Sequence, residues 1–149
     1  MAIKGCLHFT ISVTDEARSE RFYCDVLGLE LVQRTSLGMV FLKAGDDHVI
    51  LCRSKTPIDP NPGNSIMVHH AFQVGVDDYH DMLGRLRRNN IHILFEEDRQ
   101  SGVFQGRQAY FHDPDRNVIE INALRHIATK GELGEENSTR PNFTHAPPV

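Results

Sequence analysis

The chain repeats its own pattern. Residues 8–13 and 69–74 are alternating, strand-like segments separated by an offset of 61, and each begins with a histidine. A helix and three further strands follow each of them, so the 149 residues read as one βαβββ unit written twice. In the first unit Leu7, Phe9, Ile11 and Val13 fall on one side of the strand, and His8, Thr10 and Ser12 on the other. Thr14 is the expected N-cap of the helix, Asp15 and Glu16 suit the positive end of its dipole, and Gly28 can close it. Strands are expected over 29–33, 39–42 and 48–52, separated by the turn residues Ser36-Leu37-Gly38 and Gly45-Asp46-Asp47. Pro57, Pro60, Pro62 and Gly63 mark a linker over 56–65. The second unit repeats the order with a strand over 69–74 and a helix carrying Tyr79, Met82, Leu83 and Leu86. Strands over 91–95, 107–111 and 117–122 follow, the last aligning Val118-Ile119-Glu120 with Val49-Ile50-Leu51. The expected domains are 3–55 and 66–123, and 124–149 reads as a polar, finally Pro-rich tail that is partly disordered or partner-dependent.

Charge and cysteine content narrow the function. Sixteen Lys and Arg against twenty Asp and Glu leave a net charge of −4, and the densest cationic group, Arg85, Arg87 and Arg88, has the spacing of a solvated helix face. Nucleic acid is therefore not an expected partner. No window approaches eighteen apolar residues, which argues against a membrane span. Cys6, Cys24 and Cys52 form no CxxC pair and read as reduced thiols, so a cytoplasmic location is expected.

The chemistry lies in His8, His69 and Glu120. Each falls on an expected strand, and the two histidines hold equivalent positions in the two units. Two imidazoles and a carboxylate on rigid strands can bind a divalent metal on one side and leave positions open for a small-molecule substrate on the other. A closed structural zinc site would want four donors, commonly including Cys. Taken singly, each residue reads more readily as a packed or solvated side chain than as a ligand; their matched placement in the repeat is what carries the metal reading.

The segments His8-Phe9-Thr10-Ile11-Ser12-Val13-Thr14-Asp15, Arg21-Phe22-Tyr23-Cys24-Asp25-Val26-Leu27-Gly28-Leu29, His69-His70-Ala71-Phe72-Gln73-Val74 and Tyr110 through Glu120 resemble the vicinal oxygen chelate superfamily. That group holds glyoxalase I, extradiol ring-cleaving dioxygenases, fosfomycin-modifying enzymes and bleomycin-resistance proteins. The resemblance covers residues 3–123. It implies an α+β fold in which two βαβββ modules form a cupped, incomplete eight-stranded barrel, with a metal held by His8, His69 and Glu120. The modules pair within one chain or are exchanged between two, so a homodimer is expected. His70, on the opposite strand face from His69, is read as structural.

Departures from the subgroups rank the reactions. Glyoxalase I places a fourth ligand on the last strand of its first module, where this chain is read as having Leu51, and a bleomycin-binding protein needs no metal set. Tyr110 is expected to touch a metal-bound substrate, with Gln108 on the same face, and Glu120 doubles as ligand and catalytic group. Thr10 matches a position near substrate in fosfomycin thiol transferases, but the loop over 96–106 lacks the Lys expected to grip a phosphonate. Arg53 and Arg107 are the candidates for an anionic substrate group. The leading expectation is a ring-cleaving dioxygenase using Fe(II), with Mn(II), Ni(II) or Zn(II) as other ions. The alternatives are a fosfomycin-type transferase or glyoxalase-type lyase, and a non-catalytic drug-binding protein.

Overall fold

The computed structural model describes residues 2–133, and the expected tail beyond them lies outside the described residues. The chain has the fold the repeat predicts: α+β, with two four-stranded mixed sheets of the same design. The first unit contains β1 (His8–Val13), α1 (Glu16–Arg21), β2 (Glu30–Arg34), β3 (Met39–Ala44) and β4 (Asp47–Arg53). Its sheet order is β1-β4-β3-β2, with β1 parallel to β4 and the other pairs antiparallel. The second unit contains β5 (His69–Gln73), α2 (Tyr79–Arg88), β6 (Ile93–Arg99), β7 (Phe104–His112) and β8 (Val118–Ile127) in the order β5-β8-β7-β6, followed by a short helix, α3 (Lys130–Leu133). Even the irregularities repeat: β2 slips its register between Leu31 and Gln33, and β6 does so between Ile93 and Phe95. Among the described residues the compact units are those up to Pro60 together with 112–117, and 61–111 together with those from Val118 on.

Alternation assigns each sheet one apolar face. In the first unit Ile11, Val13, Val40, Leu42, Val49 and Leu51 are buried together with Phe22, Tyr23 and Val26 from the helical segment. In the second, Ala109, Phe111, Ile119 and Ile121 are buried with Tyr79, Leu83 and Leu86 of α2. The opposite face of each sheet carries the polar residues.

Three local expectations need correction. Thr14 does not cap α1: its hydroxyl is taken by the Asp115 carboxylate, and Asp15 is the N-cap instead, accepting from the Arg18 amide at 2.9 Å. The helix then widens into a π-turn over Phe22–Val26, and Gly28, at φ 85°, ends it by donating to the Cys24 carbonyl. The segment from Glu96 expected as loop is strand as far as Arg99, and strand resumes at Phe104. Finally, β8 continues to Ile127, past the point where the composition turns polar.

Gly106 fixes how closely β7 and β8 approach. Its φ is +155°, and a Cβ there would sit 2.3 Å from the Ala123 carbonyl oxygen. Backbone cannot yield as a flexible side chain does, so Gly106→Ala is expected to cost about 2 kcal/mol or more, read as a lowered midpoint in urea unfolding. An unchanged midpoint would show that the strand pair tolerates separation.

Candidate metal centre

The polar face of the second sheet gathers a connected group. His69 opens β5, Glu120 lies on the adjacent β8, and His69 Nε2 stands 3.1 Å from Glu120 Oε2. His69 Nδ1 lies 2.9 Å from the Ile66 carbonyl. A carbonyl only accepts, so Nδ1 carries the proton and Nε2 is the nitrogen left for Glu120 or an ion. Glu120 is 5% exposed, and its Oε1 accepts from Asn122 Nδ2 at 3.0 Å. Burial opposes ionisation of Glu120, but hydrogen bonds from His69, Asn122 and Tyr110 outweigh it and hold the carboxyl below its ordinary value. The same hydrogen bond to Glu120 is the largest cause raising His69 above the ordinary imidazole value, against the opposing effect of burial.

Tyr110 completes the row. It lies on β7, edge-on to His69 with ring centroids 5.3 Å apart, and its hydroxyl donates to Gln108 Oε1 at 3.1 Å. Burial first, then the charge of Glu120, pushes its phenol well above the ordinary range, so it stays protonated at neutral pH and can donate.

The donor chemistry fits a divalent ion. Imidazole nitrogen and carboxylate oxygen suit Mn, Fe, Ni and Zn alike. Two donors each about 2.1 Å from an ion and at right angles would be about 3 Å apart, close to the observed His69–Glu120 separation. Among the described residues no group of three or more His, Cys, Asp or Glu side chains gathers into a metal cluster. His8 and Thr10 are exposed on the polar face of β1, in the first unit.

The strand registers correct one alignment. His8 pairs with His48 and His69 with Val118, so the first-unit residue matching Glu120 is Ile50, not Leu51. Leu51 corresponds to Ile121 in the apolar layer, and both are buried to within 1%. The matching position is aliphatic either way, and no fourth donor stands there.

Neither arginine read as an anion-binding candidate lies on a polar face. Arg53 turns to α1 and pairs with Glu16 Oε1 at 3.3 Å. Arg107 contacts His80 on α2, because it alternates with Gln108 and Tyr110. The cation on the His69 face is Arg99, a residue the sequence reading assigned to a loop. It holds Glu97 at 2.6 Å, its register neighbour is the side-chain-free Gly106, and its charge is felt by Tyr110. Continuing the alternation Phe95, Glu97, Arg99 would have found it.

Similarity to known proteins shows the family. The chain is 30% identical over 114 residues to a glutathione transferase FosA of Serratia marcescens, covering 76% of this chain and 77% of that one. It is 29% identical over 119 residues to a metallothiol transferase FosB of Staphylococcus haemolyticus, covering 80% and 83%. Among solved structures, the fosfomycin resistance protein FosX of Listeria monocytogenes matches with a TM-score of 0.68 at 21% identity, over 83% of this chain and 94% of that one. A lactoylglutathione lyase of Agrobacterium tumefaciens matches with a TM-score of 0.62 at 20% identity, over 82% and 95%. A family model matches residues 5–121, and the chain belongs to the Glyoxalase/Bleomycin resistance protein/Dioxygenase superfamily.

Proposed function

We propose that this protein is a metal-dependent enzyme that adds a thiol to a small anionic substrate bearing adjacent oxygens, with fosfomycin as the reference substrate. The observation that carries this reading is one cation, Arg99, on the sheet face that holds His69, Glu120 and Tyr110. Ring cleavage with Fe(II), the leading expectation from the sequence, gives way here. The relatives are named thiol transferases and fosfomycin resistance proteins, and Arg99 answers the missing phosphonate-gripping Lys. A mutant of the Listeria FosX protein has been crystallised with Mn(II) and 1S,2S-dihydroxypropylphosphonic acid, which makes Mn(II) the ion to try first.

His69 Nε2 and Glu120 Oε2 would hold the ion. His8 is the proposed third donor, because it opens β1 as His69 opens β5. The ion supplies Lewis acidity toward the substrate oxygen on which negative charge develops. Arg99 binds the anionic group through its planar fork, with Glu97 holding the guanidinium in place. Tyr110, kept protonated by burial, turns its single O–H from Gln108 Oε1 to a substrate oxygen. Thr10 is proposed to contact substrate from β1, and the active species is proposed to be a homodimer. In the transfer a C–S bond forms, the epoxide C–O bond breaks, and the thiol proton ends on the freed oxygen.

The test is ³¹P NMR of fosfomycin mixed with Mn(II)-loaded protein and either glutathione or cysteine. A new phosphonate signal that needs both metal and thiol is expected. Arg99→Met should raise KM about tenfold with a smaller change in kcat, since it removes binding of a group remote from the bond being broken. Unchanged fosfomycin with both thiols, together with a coloured ring-fission product from catechol under Fe(II) and air, would return the dioxygenase reading.

A further inference from the structure

Asn122 presents an atom that the proposed reaction does not use. The residue is 8% exposed and shares the polar face of β8 with Glu120. Its Nδ2 must face the carboxylate at 3.0 Å, because the reverse orientation would set two acceptors against each other. That fixes the other end: Oδ1 is buried and has no hydrogen-bond partner, one of only two such side-chain atoms among the described residues. A buried carbonyl oxygen without a donor is costly in a folded chain, and such an atom beside a ligand site is explained when the ligand supplies the donor.

We infer that Asn122 Oδ1 is the acceptor for an O–H or N–H group on the small molecule bound at this face, and so selects ligands that carry a donor beside their anionic oxygens. Asn122 thus acts through both ends of one amide. Nδ2 orients Glu120, and Oδ1 distinguishes a hydroxyl- or amino-bearing anion from a donor-free isostere of the same charge. A site that hydrogen-bonds a ligand hydroxyl discriminates strongly against the analogue lacking it, because the orphaned acceptor stays unpaired. The inference deepens the proposed function and rests on it: fosfomycin, an epoxide without such a donor, is the reference for the chemistry, and a hydroxyl- or amino-bearing anion is the ligand this face prefers.

The test compares 2-hydroxypropylphosphonate with propylphosphonate, binding to Mn(II)-loaded protein by calorimetry. Wild type should prefer the hydroxylated probe by about tenfold or more, and Asn122→Ala should reduce that preference to within about threefold. The change in preference is the readout, because loss of the Nδ2 bond to Glu120 affects both probes alike and any chelation by the hydroxyl is common to variant and wild type. Asn122→Leu, which keeps the volume, is read in the same way should the alanine variant fold poorly. Equal affinity for the two probes in wild type, or an undiminished preference in the variants, would overturn the inference while leaving the proposed function standing. Failure of both probes to bind wild type would overturn the proposed function, and the inference with it.

Discussion

Glu120→Gln is expected to weaken Mn(II) binding by about 100-fold or more and to leave the fold intact. Outer partners of metal ligands alone are worth about 10 to 100-fold in affinity, and the proposed role makes Glu120 a ligand itself. The amide is a poorer donor to an ion and carries no charge. Its shape nonetheless satisfies the neighbours: the oxygen still accepts from Asn122 Nδ2, and the new N–H can donate to His69 Nε2, now a lone pair. Stability should therefore change by no more than about 1 kcal/mol. The pH dependence gives a second signature. An ion must displace the proton that Glu120 helps His69 to hold, so affinity falls as pH drops through the raised imidazole value. Removing the carboxylate removes the largest cause of that elevation, and the midpoint of the affinity profile should move to lower pH. Mn(II) titration by electron paramagnetic resonance, with thermal melts of the metal-free proteins, checks both. Wild-type affinity in the glutamine variant would remove Glu120 from the ligand set.

Asp113→Ala should be the most destabilising single change in the first compact unit. The Asp113 carboxylate accepts four hydrogen bonds, from the Tyr23 hydroxyl at 2.9 Å and from Asn117 Nδ2 and the amides of Asp115 and Asn117 at 2.8 Å each. Tyr23 is fully buried, so its hydroxyl has no water to turn to when the carboxylate is removed. Burial pushes the Asp113 carboxyl above its ordinary value, and these four donors act against that rise. Truncation leaves several donors unpaired at once, and a loss of about 3 to 5 kcal/mol is expected. For a chain of this size that is a fall in Tm of about 10 °C. The neighbouring Asp115 should remain paired with Arg18, at 2.7 Å, in the variant. Calorimetric melts decide the matter, and a shift below about 3 °C would show that water reaches Tyr23 after all.

Alternation and spacing carried much of this into the sequence. The offset of 61 announced two like units, and the side-by-side strands β5 and β8 bring together His69 and Glu120, two of the three residues that the sequence reading groups, the third being His8. Those features are local: which residues favour a strand, which favour a turn, and which side chains share a face at period two. Register is not local. The match of Glu120 to Ile50 rather than Leu51 depends on how β1 meets β4 and β5 meets β8, and a one-residue slip in alignment exchanges the polar face for the apolar one. Parity with a neighbouring strand likewise turns Arg53 and Arg107, the arginines expected to meet an anion, toward helices.

By itself, then, the sequence determined the repeated βαβββ architecture and the residue types able to bind a metal, because both follow from short-range pattern and side-chain chemistry. Only the tertiary structure decided that Arg99 shares a sheet face with Tyr110 and that Asn122 keeps a buried, unpaired oxygen next to Glu120. Hydrogen-bond partners and sheet faces are set by strands meeting across long stretches of chain, where no sequence spacing reports the distance.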